Sequence, residues 1–128
     1  MKTILLAEDD PFLVDIYITK LKEAGFEVEA VNDGEDVVKR LKQKNLQGKP
    51  LWPDLLILDI VLPRTDGWEI LKKIKEDSFL KELKIIILSN LGQKAEVERG
   101  FELGATRYLI KAHYTPSEVV EEIKKIIG

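Results

Sequence analysis

Short apolar runs alternate along this chain with longer stretches whose apolar positions recur at helical spacing. Ile4–Ala7 is a run of strand length. Asp10-Pro11 then reads as a helix N-cap followed by proline at the first helical position. Val14, Tyr17, Ile18 and Leu21 continue on one helix face, and Gly25 supplies the stop. Phe26–Val31, "FEVEAV", alternates apolar and acidic residues, as a strand with one wet face at a sheet edge does. "NDG" punctuates, and Glu35–Gln43 carries Val37, Val38 and Leu41 on one helical face. After the polar connection "KNLQGKPLWP", Leu55–Ile60 is apolar on both faces, the pattern of a central parallel strand. Trp68, Ile70, Leu71 and Ile74 predict a third helix, and Ile85–Leu88 a further doubly buried strand. The fourth helix, near Lys94–Leu103, has few apolar anchors and contains Gly100. Tyr108–Ile110 is a short fifth strand. "TPSE", from Thr115 to Glu118, is a capping box with proline at the first helical position, and the helix after it carries Val119, Val120, Ile123, Ile126 and Ile127.

Five strand–helix units imply a parallel sheet covered on both faces, with right-handed crossovers. The edge-like second strand selects an α/β, flavodoxin-like (βα)5 doubly wound sheet of order 2-1-3-4-5. In such a sheet the site lies beyond the carboxyl ends of the strands, where the first and third diverge. A length of 128 residues suits one domain, 1–128, with a sizeable core. The net charge of −3 gives no basic surface that advertises nucleic-acid binding. With no cysteine, disulfides, thiolate catalysis and Cys-based zinc sites are excluded. No apolar stretch approaches the roughly 20 residues of a membrane span, and "MKTILLAEDD" lacks a signal-peptide pattern. The expected location is therefore the cytoplasm.

The predicted strand ends gather chemistry. The first ends in Glu8-Asp9-Asp10, the third in Asp59, the fourth in Ser89 and the fifth in Lys111. Clustered carboxylates raise one another's pKa values, and a divalent cation relieves that repulsion. Oxygen-only ligands without His or Cys suit Mg2+. Lys111 is a flexible point charge able to reach a carboxylate or phosphoryl oxygen, and Ser89 can donate to the same oxygen. Positioning and charge neutralisation are most of what phosphoryl transfer needs, and a carboxylate can itself be the nucleophile. Taken singly, each residue has a plainer reading: Asp10 a helix cap, Asp59 a strand-end residue, Ser89 a turn residue, Lys111 a surface lysine. One fold that places all of them at one crevice favours the functional reading.

The motifs "ILLAEDDP", "LLILDIVLPRTDG", "IIILS" and "RYLIK" together resemble the receiver domain of bacterial two-component response regulators, the CheY-like family, from Ile4 to Ile127. The resemblance implies that Asp59 is the phosphoacceptor, taking a phosphoryl group from a sensor histidine kinase or phosphotransfer protein. It implies that Glu8 and Asp9 hold Mg2+ together with Asp59 and the backbone carbonyl of Val61, Asp9 being the more direct ligand. Ser89 and Lys111 would contact phosphoryl oxygens, and Tyr108 would be an aromatic switch turning inward as Ser89 moves. Output to a protein partner would leave through the face of the fourth helix, fifth strand and fifth helix. No catalysis beyond its own phosphorylation and dephosphorylation is expected, no direct nucleic-acid or membrane contact, and a monomer or weak phosphorylation-dependent dimer. With no DNA-binding segment after the fifth helix, a stand-alone receiver, a phosphorelay intermediate or a receiver excised from a longer protein is expected.

The chain departs from the family pattern after the fifth strand. There the family has Lys-Pro with a cis peptide, then an aromatic; here the residues are "KAHYTP". Ala112 stands for the proline and His113 looks inserted, so a trans loop is expected, with His113 a partly exposed loop residue. "KNLQGKPLWP" is also longer than usual; Trp52 either anchors it or meets a partner, and Trp68 either packs or flanks the crevice. Two other functions stay open: a phosphate-independent receiver-like binding module, and a Mg2+-dependent phosphohydrolase acting through Asp59.

Overall fold

The computed structural model describes the whole chain, Met1–Gly128. Its five strands are β1 (Thr3–Ala7), β2 (Glu27–Val31), β3 (Leu55–Leu58), β4 (Ile85–Ser89) and β5 (Arg107–Ile110). The helices between and after them are α1 (Pro11–Glu23), α2 (Gly34–Leu41), α3 (Gly67–Glu76), α4 (Lys94–Glu102) and α5 (Pro116–Ile127). The sheet runs β2-β1-β3-β4-β5 and all four pairings are parallel. The order expected from the wet second strand is the order found.

Strand periodicity divides the core in two. Leu5, Leu56, Leu58, Ile85 and Ile87 point to one face and pack with Val37, Leu41, Ile70, Leu71 and Ile74 of α2 and α3. Ile4, Leu6, Leu55, Ile57, Ile86, Leu88 and Leu109 point to the other and meet Tyr17 and Leu21 of α1 and Val119, Val120, Ile123 and Ile127 of α5. Both faces of β1, β3 and β4 are thus dry, which is why those strands read as unbroken apolar runs. β2 has only one neighbour and leaves Glu27 and Glu29 exposed. Ile126, expected in the core, is half-buried against it, because Ile123 and Ile127 already occupy the inward line of α5.

Caps set the helix ends. Asp10, Asp33, Asp66 and Thr115 each accept a backbone N–H of the first turn of α1, α2, α3 and α5, which offsets the unpaired donors there. Asp33 and Gly34 start α2 one residue earlier than its apolar face suggests, and it ends at Leu41 rather than Gln43. β3 closes at Leu58 rather than Ile60, so Asp59 stands just past the last strand residue. Two single-turn 3-10 segments, Leu80–Glu82 and Lys111–His113, carry no sequence pattern long enough to announce them.

The long connection after α2 folds back on itself through a Lys44–Pro50 antiparallel bridge. The Asn45 side chain accepts from Gln47 N (2.9 Å) and Lys49 N (3.0 Å), and Arg40 donates to Leu51 O at 2.5 Å. Trp52 is half-buried against the α2–α3 core, 6.5 Å from the Phe79 ring. Trp52 therefore anchors this connection.

Candidate functional site

Register brings the site residues together. Ala7 pairs with Leu58, so the next residues, Glu8 and Asp59, leave β1 and β3 side by side. Backbone bonds fix both: Glu8 N donates to Val31 O (3.1 Å) and Asp59 N to Ala7 O (3.1 Å). Ser89 pairs with Ile110 across β4 and β5, and Lys111 follows at once. Glu8, Asp59 and Ser89 are buried while Asp9 is exposed.

A charged side chain this deep needs a partner. Lys111 supplies it: its Nζ donates to Asp59 Oδ2 at 2.7 Å and also pairs with Glu8 Oε1. No buried side-chain polar atom in the molecule lacks a hydrogen-bond partner. Burial pushes the Glu8 carboxyl up, and the bond from Lys111 only partly opposes it. Burial also works against the Lys111 charge, but its bonds to Asp59 and Glu8 outweigh that and raise its pKa. Lys111 is therefore a firmly protonated cation between two acids. Carboxylate oxygens of Glu8, Asp9 and Asp59 lie within 4.8 Å of one another. Lys111 meets two of those acids, leaving an excess of negative charge on a set of hard oxygen donors. Such a set fits a small hard dication.

The neighbours are arranged around this core. Asp10 turns away from the cluster to cap α1, its Oδ1 accepting from Phe12 N (2.9 Å), while its own N–H donates to Glu8 Oε2 (3.2 Å). It is the cap that the sequence suggests. Val61 N donates to Asp59 Oδ1 (3.2 Å), and the residue is 60% exposed. Ser89 Oγ accepts from Leu91 N (3.3 Å). Tyr108 is expected to turn inward as Ser89 moves; here its ring already lies inside, its hydroxyl donating to Leu91 O at 2.5 Å. Burial pushes that phenol up to about 12.

No peptide bond is cis, and "KAH" forms a trans 3-10 turn closed by Tyr114 N to Lys111 O (3.4 Å). Lys111 reaches Asp59 from that turn, and His113 is exposed. Trp68 packs on the core and its ring carries the Arg99 guanidinium of α4 at 4.3 Å. Sequence reasoning missed that stack. It also missed Arg64, the one non-glycine residue with positive φ (68°), whose guanidinium meets Asp33, Glu35 and Asp36. The turn residues "PRTDG" mark a bend there, but nothing local tells which distant acids Arg64 meets.

The family model for the response regulator receiver domain matches residues 4–124, and this chain belongs to that family, the signalling domain of two-component systems. The DNA-binding dual master transcriptional regulator RpaA of Synechocystis sp. is 32% identical over 126 residues, 98% of this chain but 48% of that protein. The chain spans about half the length of the curated relatives it matches. Among solved structures, a putative response regulator from Chloroflexus aurantiacus is 33% identical, with a TM-score of 0.83 and coverage of 98% and 97% of the two chains. The Mn2+-bound form of response regulator Rcp1 is 28% identical, with a TM-score of 0.85 and coverage of 99% and 94%.

Proposed function

We propose that this domain is a phosphorylation switch in which Asp59 accepts a phosphoryl group from a phosphohistidine on a sensor kinase or phosphotransfer protein. The observation that carries the reading is the Lys111 ammonium held on Asp59 and Glu8 in one crevice, beside Ser89. Glu8, Asp9, Asp59 and the Val61 carbonyl are the residues to hold Mg2+, and the Mn2+-bound Rcp1 relative supports a divalent ion. When bound, the ion supplies neutralisation of the acids and of the entering phosphoryl oxygens.

The chain's own groups do the rest. The rigid end of β3 presents the Asp59 carboxylate as nucleophile. Lys111, now paired with that carboxylate, passes to a phosphoryl oxygen as negative charge builds there. Ser89 Oγ, now only an acceptor from Leu91 N, rotates its hydroxyl to donate to the same group. Phosphorylation brings about −1.5 to −2 charge at pH 7 next to Glu8 and Asp9. Drawing in Ser89 and Lys111 pulls on the segment through Leu91, whose carbonyl holds Tyr108, and so on α4 and the β5–α5 face offered to protein partners. The only chemistry of the domain is then gain and loss of its own phosphoryl group.

The test is incubation with Mg2+ and acetyl phosphate. The parent should gain one phosphate in intact mass and Asp59→Asn should not. Turnover of small phosphoesters would favour a hydrolase instead, and an equal lack of response in both proteins a phosphate-independent module.

A further inference from the structure

We infer that Arg64 is a positioning residue for the cation site: it pins the chain segment after Asp59 to the N-terminus of α2, and so aims the Val61 carbonyl. The inference rests on the function proposed above. Arg64 holds a left-handed backbone, φ 68°, that residues other than glycine rarely adopt. A residue keeps such a conformation when its surroundings over-determine it, and such outliers gather at functional sites.

The surroundings here are specific. Arg64 Nη2 meets Asp33 Oδ2 at 2.6 Å and Asp36 Oδ1 at 3.7 Å, and its Nη1 meets Glu35 Oε2 at 2.9 Å. These are the N-cap and first turn of α2. The backbone bond from Asp36 and the Arg64 pair hold the Asp33 carboxyl below its ordinary range, so the contact stays charged. A second strut runs beside the first. Gly34 N donates to Pro63 O (3.0 Å), and the two chain segments are so close that a Cβ on Gly34 would fall 1.6 Å from Thr65 O.

At its far end the segment is tied back by Gly67 N to Ile60 O (2.8 Å), where a Cβ on Gly67 would fall 2.6 Å from Ile60 Cα. Val61 hangs between these fixed points, with its N–H on Asp59 Oδ1. Its carbonyl direction is then set by where Pro63–Thr65 is held.

A purely electrostatic role for Arg64 would have the opposite effect on Mg2+ binding. Arg64 also neutralises acids near an already acidic rim. If that were its whole role, removing it would deepen the negative potential and tighten Mg2+ binding. A positioning role makes removal weaken binding. Arg64→Gly relaxes the left-handed backbone and deletes the charge. Arg64→Lys keeps the charge but loses the planar fork.

Calorimetric Mg2+ titration of the parent and both variants decides the matter, with thermal melts and acetyl phosphate uptake measured alongside. We expect Arg64→Gly to melt within a few degrees of the parent while Mg2+ affinity falls about tenfold, the scale of losses at groups that orient metal ligands. Arg64→Lys should fall between, and phosphoryl uptake should recover at saturating Mg2+. The lysine variant decides the question if the glycine variant does not fold. Unchanged or tighter Mg2+ binding in the variants, with normal phosphoryl uptake by the parent, overturns the inference and leaves the proposed function standing. A parent that neither binds Mg2+ nor takes up phosphate removes both.

Discussion

Lys111 divides one positive charge between Glu8 and Asp59. Three acids with one ammonium leave the crevice short of positive charge, and that shortage makes a hard cation welcome there. The phosphoryl lifetime should depend on two other residues. Val61 and Leu91, two positions after Asp59 and Ser89, are both apolar, and neither can orient a water for attack on an acyl phosphate. Self-dephosphorylation should therefore be slow. Loss of the phosphoryl group from the isolated domain in Mg2+ should take minutes or longer, and a half-life of seconds would reject the idea.

Asp33 gives a prediction of pH dependence. The backbone N–H of Asp36 and then the Arg64 guanidinium lower its folded pKa from 3.8. A depressed carboxyl pKa adds stability that is present above the unfolded value and lost as pH falls through the folded one. Asparagine still caps a helix, so Asp33→Asn removes mainly the charge. Urea unfolding should show the parent more stable than Asp33→Asn near neutrality. The gap should begin to close as pH drops below about 3.8 and vanish beneath the folded value.

Among the five helices, α4 buries the fewest residues. Its only buried residue is Gly100, packed so closely that a Cβ would lie 2.7 Å from both Ile87 Cδ1 and Tyr108 Cδ2. It lacks the apolar line that α3 and α5 bury. What supplements this thin contact is the Arg99 guanidinium stacked on Trp68 of α3, an interaction of about 0.5–1 kcal/mol at such a half-exposed place. That is small against global stability but large against the local opening of a weakly held helix. Arg99→Ala should speed amide exchange through Lys94–Leu103 several-fold while the β3 and β4 amides stay as protected as in the parent. Equal acceleration throughout would mean that the stack serves the whole fold.

At the scale of the molecule, the two core layers hold β1, β3 and β4 rigid, and the crevice is assembled from the residues just past their carboxyl ends. Strand order decides which residues share that crevice: Glu8 and Asp59 are 51 positions apart in sequence yet leave adjacent strands. Sequence change in a loop therefore need not disturb Asp59's support. The changed "KAHY" turn illustrates this: with Ala112 in the proline position and every peptide trans, Lys111 still reaches both acids.

Hydrophobic periodicity by itself determined the five strand–helix units, the parallel sheet and the wet edge strand, and the residues that follow each strand then put the acids, hydroxyl and lysine at the strand ends. Those features depend on local patterns, in which each residue's burial is set by its spacing along one element. The chain alone did not reveal Arg64's left-handed backbone and its three acids, the Arg99–Trp68 stack, the short 3-10 turns or the inward ring of Tyr108. Each depends on groups distant in sequence meeting at a specific distance, and only the packing of one element against another sets that distance.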